Sequence, residues 1–192
     1  MTPSFDLQLT HSDKEISQFI TDLKSLNVDK SYYLTLLVGP YIKGKQNFMK
    51  KAASLVNEEI HSVDLDSVIT TNEKETYSNI NKLCDHLTSL PGKYVHFSNG
   101  DRLSGVYTSY SYSVKRYATP QEKYFLDKIK ESEKVILLEL KDRHNMNSYI
   151  RRNSHAVINF NRPVSMVDKL IWKIKQIRIH GHNFESSRKA AV

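Results

Sequence analysis

A chain of 192 residues with 39% hydrophobic and 26% charged residues is long enough for one domain with a sizeable core and too apolar for a disordered segment. Its single cysteine, Cys84, excludes an internal disulfide framework and a cysteine-based zinc site, and no apolar run approaches the ~20 residues that span a bilayer. The formal charge of +7 and pI near 9.3 permit polyanion binding, but the basic residues are spread along the chain, so nucleic acid is a weak expectation. The opening MTPSFDLQLTHSDKE lacks the basic and then apolar pattern of a signal peptide, so the expected location is cytoplasmic and no membrane partner is expected.

Residues 12 to 26 open with SDKE, a capping box, and place Ile16, Phe19, Ile20 and Leu23 on one stripe, which predicts a helix beside the core within an N-terminal extension, 1–30. YYLTLLV, residues 32 to 38, is a continuous apolar run of the kind expected for a strand covered on both faces. It runs into VGPYIKGKQN, residues 38 to 47, and residues 45 to 56 then carry Phe48, Ala52, Leu55 and Val56 at helical spacing. IHSVDL, residues 60 to 65, predicts a second strand, and residues 71 to 90 a helix with Tyr77, Ile80, Leu83 and Leu87 on one face, stopped by Pro91 and Gly92; Cys84 falls on it as a buried residue.

KYVHF, residues 93 to 97, predicts a third strand. SGVYTSYSYSVKRY, residues 104 to 117, has no helical period and predicts a long loop or a surface hairpin. TPQE at 119 to 122 starts a helix, with Thr119 as cap, Pro120 at its first position and Glu122 completing the box. VILLEL, 135 to 140, and AVINF, 156 to 160, are strands bracketing a polar segment; residues 166 to 179 carry Leu170, Ile171, Ile174 and Ile177 as an amphipathic helix before a frayed tail. Strands alternating with helices predict a mostly parallel sheet covered on both faces, with any ligand at the carboxyl edge of its strands.

Within VGPYIKGKQN, Gly39, Gly44 and Lys45 fit GxxxxGK, in which glycines let backbone N–H groups wrap a phosphate and the lysine reaches its outer oxygens. Gln46 stands where a Ser or Thr hydroxyl would ligate Mg²⁺. With a strand before it and a helix after it, LLVGPYIKGKQ resembles the Walker A region of an AAA+ ATPase, where a Gly-Pro pair opens the loop. The likeness continues in order: HSVDLDSV resembles that family's second strand, KYVHFSNGDRL occupies the place of Walker B, and VILLELKD that of the sensor 1 strand. SYIRRNSHAVINFNRP resembles its arginine-finger region, and DKLIWKIKQI the helix leading to its small lid.

That resemblance implies a P-loop NTPase-like three-layer αβα sandwich with a mostly parallel five-stranded sheet over 31–164. It implies the start of a truncated lid helix at 165–180, a flexible tail at 181–192 and a lid subdomain largely absent. It implies nucleotide binding by Gly39, Pro40, Gly44, Lys45 and Gln46, and an arginine finger at Arg151 or Arg152. The departures fall on the chemistry: Ser98 and Asn99 stand at the Walker B carboxylate positions and Leu140 at sensor 1, so no catalytic residue and no metal ligand is assigned.

The implied protein is a catalytically degenerate module with ATP or ADP as possible ligands and Mg²⁺ as a doubtful one. It would act in a structural, assembly or regulatory role through protein contacts, either by self-association or by joining an active AAA+ subunit. The alternative is an active ATPase with a non-standard site in which Asp101 or Glu139 supplies the carboxylate. Tyr41 and Ile42 are bulky where that family tends to carry small residues, and would fill the pocket.

Three other features have a plain reading beside a functional one. Tyr107, Tyr110, Tyr112 and Tyr117 with Lys115 and Arg116 could stack on single-stranded nucleic acid, but alternating Tyr and Ser is ordinary for an exposed hairpin, which is favoured. His180 and His182 have metal-like spacing without a nearby third ligand, and a tail is the stronger reading. Asp64 and Asp66 at a strand end are expected to cap or to face solvent.

Overall fold

The apolar run after residue 32 forms β1 (Tyr33–Val38), and it lies inside the sheet with a parallel neighbour on either side. The computed structural model describes residues 14–26, 32–108, 114–141, 146–161 and 181–186. Around β1 the order is α1 (Lys14–Ser25), α2 (Ile42–Val56), β2 (Ile60–Asp64), α3 (Glu73–Ser89), β3 (Tyr94–Ser98), β4 (Ser104–Thr108) and β5 (Val114–Ala118). There follow α4 (Pro120–Ile129), β6 (Val135–Leu140), α5 (Ser148–Asn153), β7 (Ala156–Asn161) and β8 (Gly181–Ser186). The helix expected at residues 166 to 179, and His180 after it, lie outside the described residues.

The main sheet runs β2-β3-β6-β1-β7-β8, with the first five strands parallel and β8 antiparallel to β7. The α/β class and the five parallel strands match the sequence expectation. β8 corrects the tail: residues 181 to 186, expected to fray, pair along β7 from Asn161↔Gly181 to Ala156↔Ser186. GHNFES has one large apolar side chain, Phe184, so its strand character comes from backbone pairing with β7 and leaves no alternating pattern to read.

Burial on both faces explains why β1 reads as a continuous apolar run. Leu34, Leu36 and Val38 pack with α3, α4 and α5, while Leu37 packs with α1 and α2. Ile16, Phe19, Ile20 and Leu23 are the buried stripe of α1, as their spacing predicts, whereas Leu55 of α2 is 40% exposed. From β1 the chain crosses to the far strand β2 and then works back through β3 and β6 to β7. That reversal puts α2 on one face and α3, α4 and α5 on the other, as crossovers of one hand require. The loops leaving β1 and β6 therefore diverge at their carboxyl ends, where an α/β sheet opens its crevice.

The tyrosine-rich segment resolves into the antiparallel hairpin β4–β5, paired from Ser104↔Ala118 to Thr108↔Val114. Its tip, 109–113, and the side chains of residues 106 to 108 and 114 to 116 lie outside the description. Thr119 Oγ1 accepts the N–H of Glu122 at 3.0 Å, so α4 is capped as read from TPQE. The carboxylate of Glu122 does not complete the box. It is fully buried, accepting from Ser104 Oγ at 2.8 Å and from Asn147 Nδ2 at 2.8 Å on each oxygen, and Asn147 Oδ1 in turn caps α5.

Glu122 thus ties the hairpin, α4 and α5 together through neutral donors. Burial pushes its carboxyl above the ordinary value, and the hydrogen bonds from Asn147 and Ser104 only partly oppose that. A carboxyl raised in the folded state binds its proton more tightly there than when unfolded, so this group makes stability fall as pH rises from its unfolded value through its folded one. Glu122→Gln is expected to remove that slope above the ordinary value of 4.5, measured by urea unfolding across a pH series.

Candidate functional site

Three residues, Gly39, Pro40 and Tyr41, join β1 to α2. The spacing of Phe48, Ala52 and Val56 places the helix start at Lys45, but α2 begins at Ile42 and takes Gly44 and Lys45 into its first turns as buried residues. Five backbone donors of the stretch, those of Gly39, Tyr41, Ile42, Gly44 and Lys45, are already used. Gly39 N–H donates to Leu140 O at 3.1 Å, Tyr41 N–H to Phe160 O at 3.3 Å and Ile42 N–H to Pro40 O at 3.1 Å. The N–H groups of Gly44 and Lys45 both donate to Tyr41 O, at 3.1 and 3.3 Å. A phosphate nest needs such groups converging on an empty centre.

The glycines serve packing instead. Gly39 has φ of +128°, and a Cβ there would overlap the Phe160 carbonyl of β7. A Cβ at Gly44 would meet the Tyr41 ring, which is buried against it. Tyr41 thus fills the space under the loop, as its bulk suggested, while Ile42 points outward and is 61% exposed.

Lys45, 2% exposed, donates from Nζ to Glu139 Oε1 at 3.1 Å and to Leu140 O at 2.7 Å. Glu139 Oε2 lies 3.4 Å from His96 Nε2, and His96 Nδ1 lies 3.3 Å from Ser62 Oγ. A polar chain Lys45–Glu139–His96–Ser62 therefore crosses from α2 over β6 and β3 to β2. Burial pushes the Lys45 ammonium below its ordinary value, against the pull of Glu139. Burial also pushes the Glu139 carboxyl up, but His96 and Lys45 together outweigh it and hold Glu139 below the usual range, ionised at neutral pH. The chain forms the floor of an open cleft of about 540 Å³ that Ile42, Gln46, Met49 and Lys50 also line.

The remaining expected site residues are placed elsewhere. Ser98 ends β3, and Asn99 follows it in the left-handed conformation, its amide donating to Asp64 Oδ1 at 2.8 Å. That bond, with the N–H of Asp66, holds the Asp64 carboxyl below its ordinary value, in the capping role read from the sequence. Arg102 pairs with Asp66, and Asp101 Oδ2 accepts the N–H of Lys141 at 2.9 Å while its charge lies close enough to act on Lys45. Arg151 and Arg152 are exposed in the last turn of α5. Among the described residues no cluster of three His, Cys, Asp or Glu side chains could hold a metal, and no helix is long and apolar enough to cross a membrane.

His96 is the site residue the sequence reading missed, and Glu139 entered it only as a substitute carboxylate. A signal was present: one charged residue inside VILLEL and one histidine inside YVHFS each interrupt a buried strand, and a charge so placed requires a partner.

Comparison with known proteins yields a fold and no family. No protein-family model matches the chain, and no curated protein does. Among solved structures it is similar to a chain of the E. coli MS115-1 HORMA:CdnC:Trip13 complex, at 11% identity and a TM-score of 0.51, covering 84% of this chain and 61% of that one. At that identity the likeness concerns the fold alone, and this chain spans less than two thirds of its neighbour's length.

The AAA+ membership expected from the motif order does not stand. The likeness is with a component of a HORMA-containing assembly, not with a demonstrated AAA+ large subdomain, and the P-loop expected at Gly39, Pro40, Gly44, Lys45 and Gln46 is not formed. Walker A falls with it, and nucleotide binding gains no support from a loop whose donors, like the Lys45 ammonium, are bonded within the chain.

Proposed function

We propose that the protein is a binding module without turnover, serving a structural, assembly or regulatory role through contacts with another protein. The observation that carries this reading is the commitment of Lys45 to Glu139 and Leu140 O at the point where the loops from β1 and β6 diverge, where an α/β sheet places its reacting groups. A cation that neutralises a carboxylate of its own chain has two of its three donors occupied. The protein partners of the similar chain's complex lend the reading support at the level of assembly.

The test is calorimetric titration of the chain with ATP and with ADP, each with and without Mg²⁺. No saturable heat is expected from any of the four. Tight Mg²⁺-dependent binding, or phosphate release that Lys45→Ala abolishes, would overturn the reading.

A further inference from the structure

α2 has four lysines, Lys43, Lys45, Lys50 and Lys51, and no acidic residue along IKGKQNFMKKAASLV. Lys45 turns inward onto Glu139, but Lys43 and Lys50 are exposed and make no ion pair among the described residues. Lys128 and Lys130 at the end of α4, by contrast, pair with Glu131 at 3.4 Å and with Asp127 at 2.8 Å. Beside these two cations the helix presents a partly apolar stripe. Ile42, Gln46, Met49 and Ala53 follow one another at helical spacing, with Ile42 61% exposed. Ile42 and Met49 are also walls of the cleft whose floor is the Lys45–Glu139–His96 chain. A helix flank that joins apolar side chains to exposed lysines, with no acidic residue among them, is complementary to a segment carrying apolar and acidic side chains together.

We infer that this face of α2 and the cleft beside it dock an acidic, apolar segment of a partner protein. A large apolar side chain of that segment lies between Ile42 and Met49, and its flanking carboxylates meet Lys43 and Lys50. Ionised Glu139 keeps anionic groups at the rim and off the floor, which also disfavours a phosphate-rich strand in the cleft. The inference rests on the protein-binding reading above and specifies the surface and the chemistry of its partner.

The experiment is an amide-shift NMR titration of the full chain with the blocked peptide acetyl-Glu-Glu-Leu-Leu-Asp-Glu amide. The same peptide with lysine at each acidic position, and oligothymidylate, serve as comparisons. Saturable shifts confined to residues 42 to 50, Ser62 and His96 are expected with the acidic peptide alone. Lys43→Glu with Lys50→Glu, both on exposed positions and verified by an unchanged Tm, is expected to weaken binding about tenfold, and raised salt to weaken it in the wild type.

Absence of saturable binding, equal binding by the charge-reversed variant, or oligothymidylate shifting the same residues would overturn the inference. Shifts mapping to another face would overturn this site while leaving the protein-binding reading intact. A positive ATP titration would overturn that reading instead.

Discussion

Gly39→Ala is expected to destabilise the protein by more than about 4 kcal/mol or to prevent folding, which urea unfolding would register as a lost or greatly lowered midpoint. Two penalties coincide at this position. The φ of +128° is one that an alanine rarely adopts, and the added Cβ would overlap backbone atoms of Phe160 rather than the end of a flexible side chain. That backbone has no room to retreat, since β7 is paired with β1 on one side and with β8 on the other. Phe160 O also accepts the Tyr41 N–H. A glycine retained for a ligand would behave differently, because substitution in a loose phosphate loop removes binding and leaves the midpoint nearly unchanged. A loss below about 1 kcal/mol would therefore contradict the packing role assigned here.

Lys45→Met is expected to cost about 2–4 kcal/mol, at the lower side of the range for one-sided removal of a buried ion pair because the Glu139 side chain keeps 23% of its exposure. The substitution leaves a carboxylate facing apolar neighbours with His96 as its remaining contact, and it frees Leu140 O. Adding Glu139→Leu to Lys45→Met is expected to recover most of the loss, since replacing both partners removes the stranded charge. The pH dependence has a definite sign. Glu139 is held below its ordinary value of 4.5, so its contribution is present above that value and is lost as pH falls through the depressed folded one. Lys45→Met should flatten that acid limb, measured by unfolding between neutral pH and about pH 3. If Lys45 existed to meet a ligand, its removal would leave stability unchanged or raise it.

The two substitutions bear on one stretch, residues 38 to 47, where local pattern and tertiary structure part company. Periodicity was sufficient for the strands and most helices, because a strand covered on both faces must be apolar throughout and a surface helix must be apolar on one stripe. The run YLTLLV, the stripe Ile16–Phe19–Ile20–Leu23 and the cap Thr119 are each patterns complete within a short stretch of chain, and each is found where the sequence places it. The five parallel strands follow from the alternation of such segments.

What a glycine or lysine does is decided elsewhere. GxxxxGK specifies residue types, but whether its N–H groups face a phosphate depends on where the next helix starts. Here Tyr41 packs under Gly44, and the helix starts early enough to consume those donors. Glu139 is 94 residues from Lys45, and no window along the chain contains both. β8 is likewise a strand because β7 offers an edge, since GHNFES carries too little apolar pattern to announce it. By itself the sequence determined the α/β class, the strand segments and the burial of their faces, through local period and side-chain character. Only the tertiary structure decided strand order, the closure of the loop and the partner of Lys45, because each depends on backbone and charge brought together from distant parts of the chain.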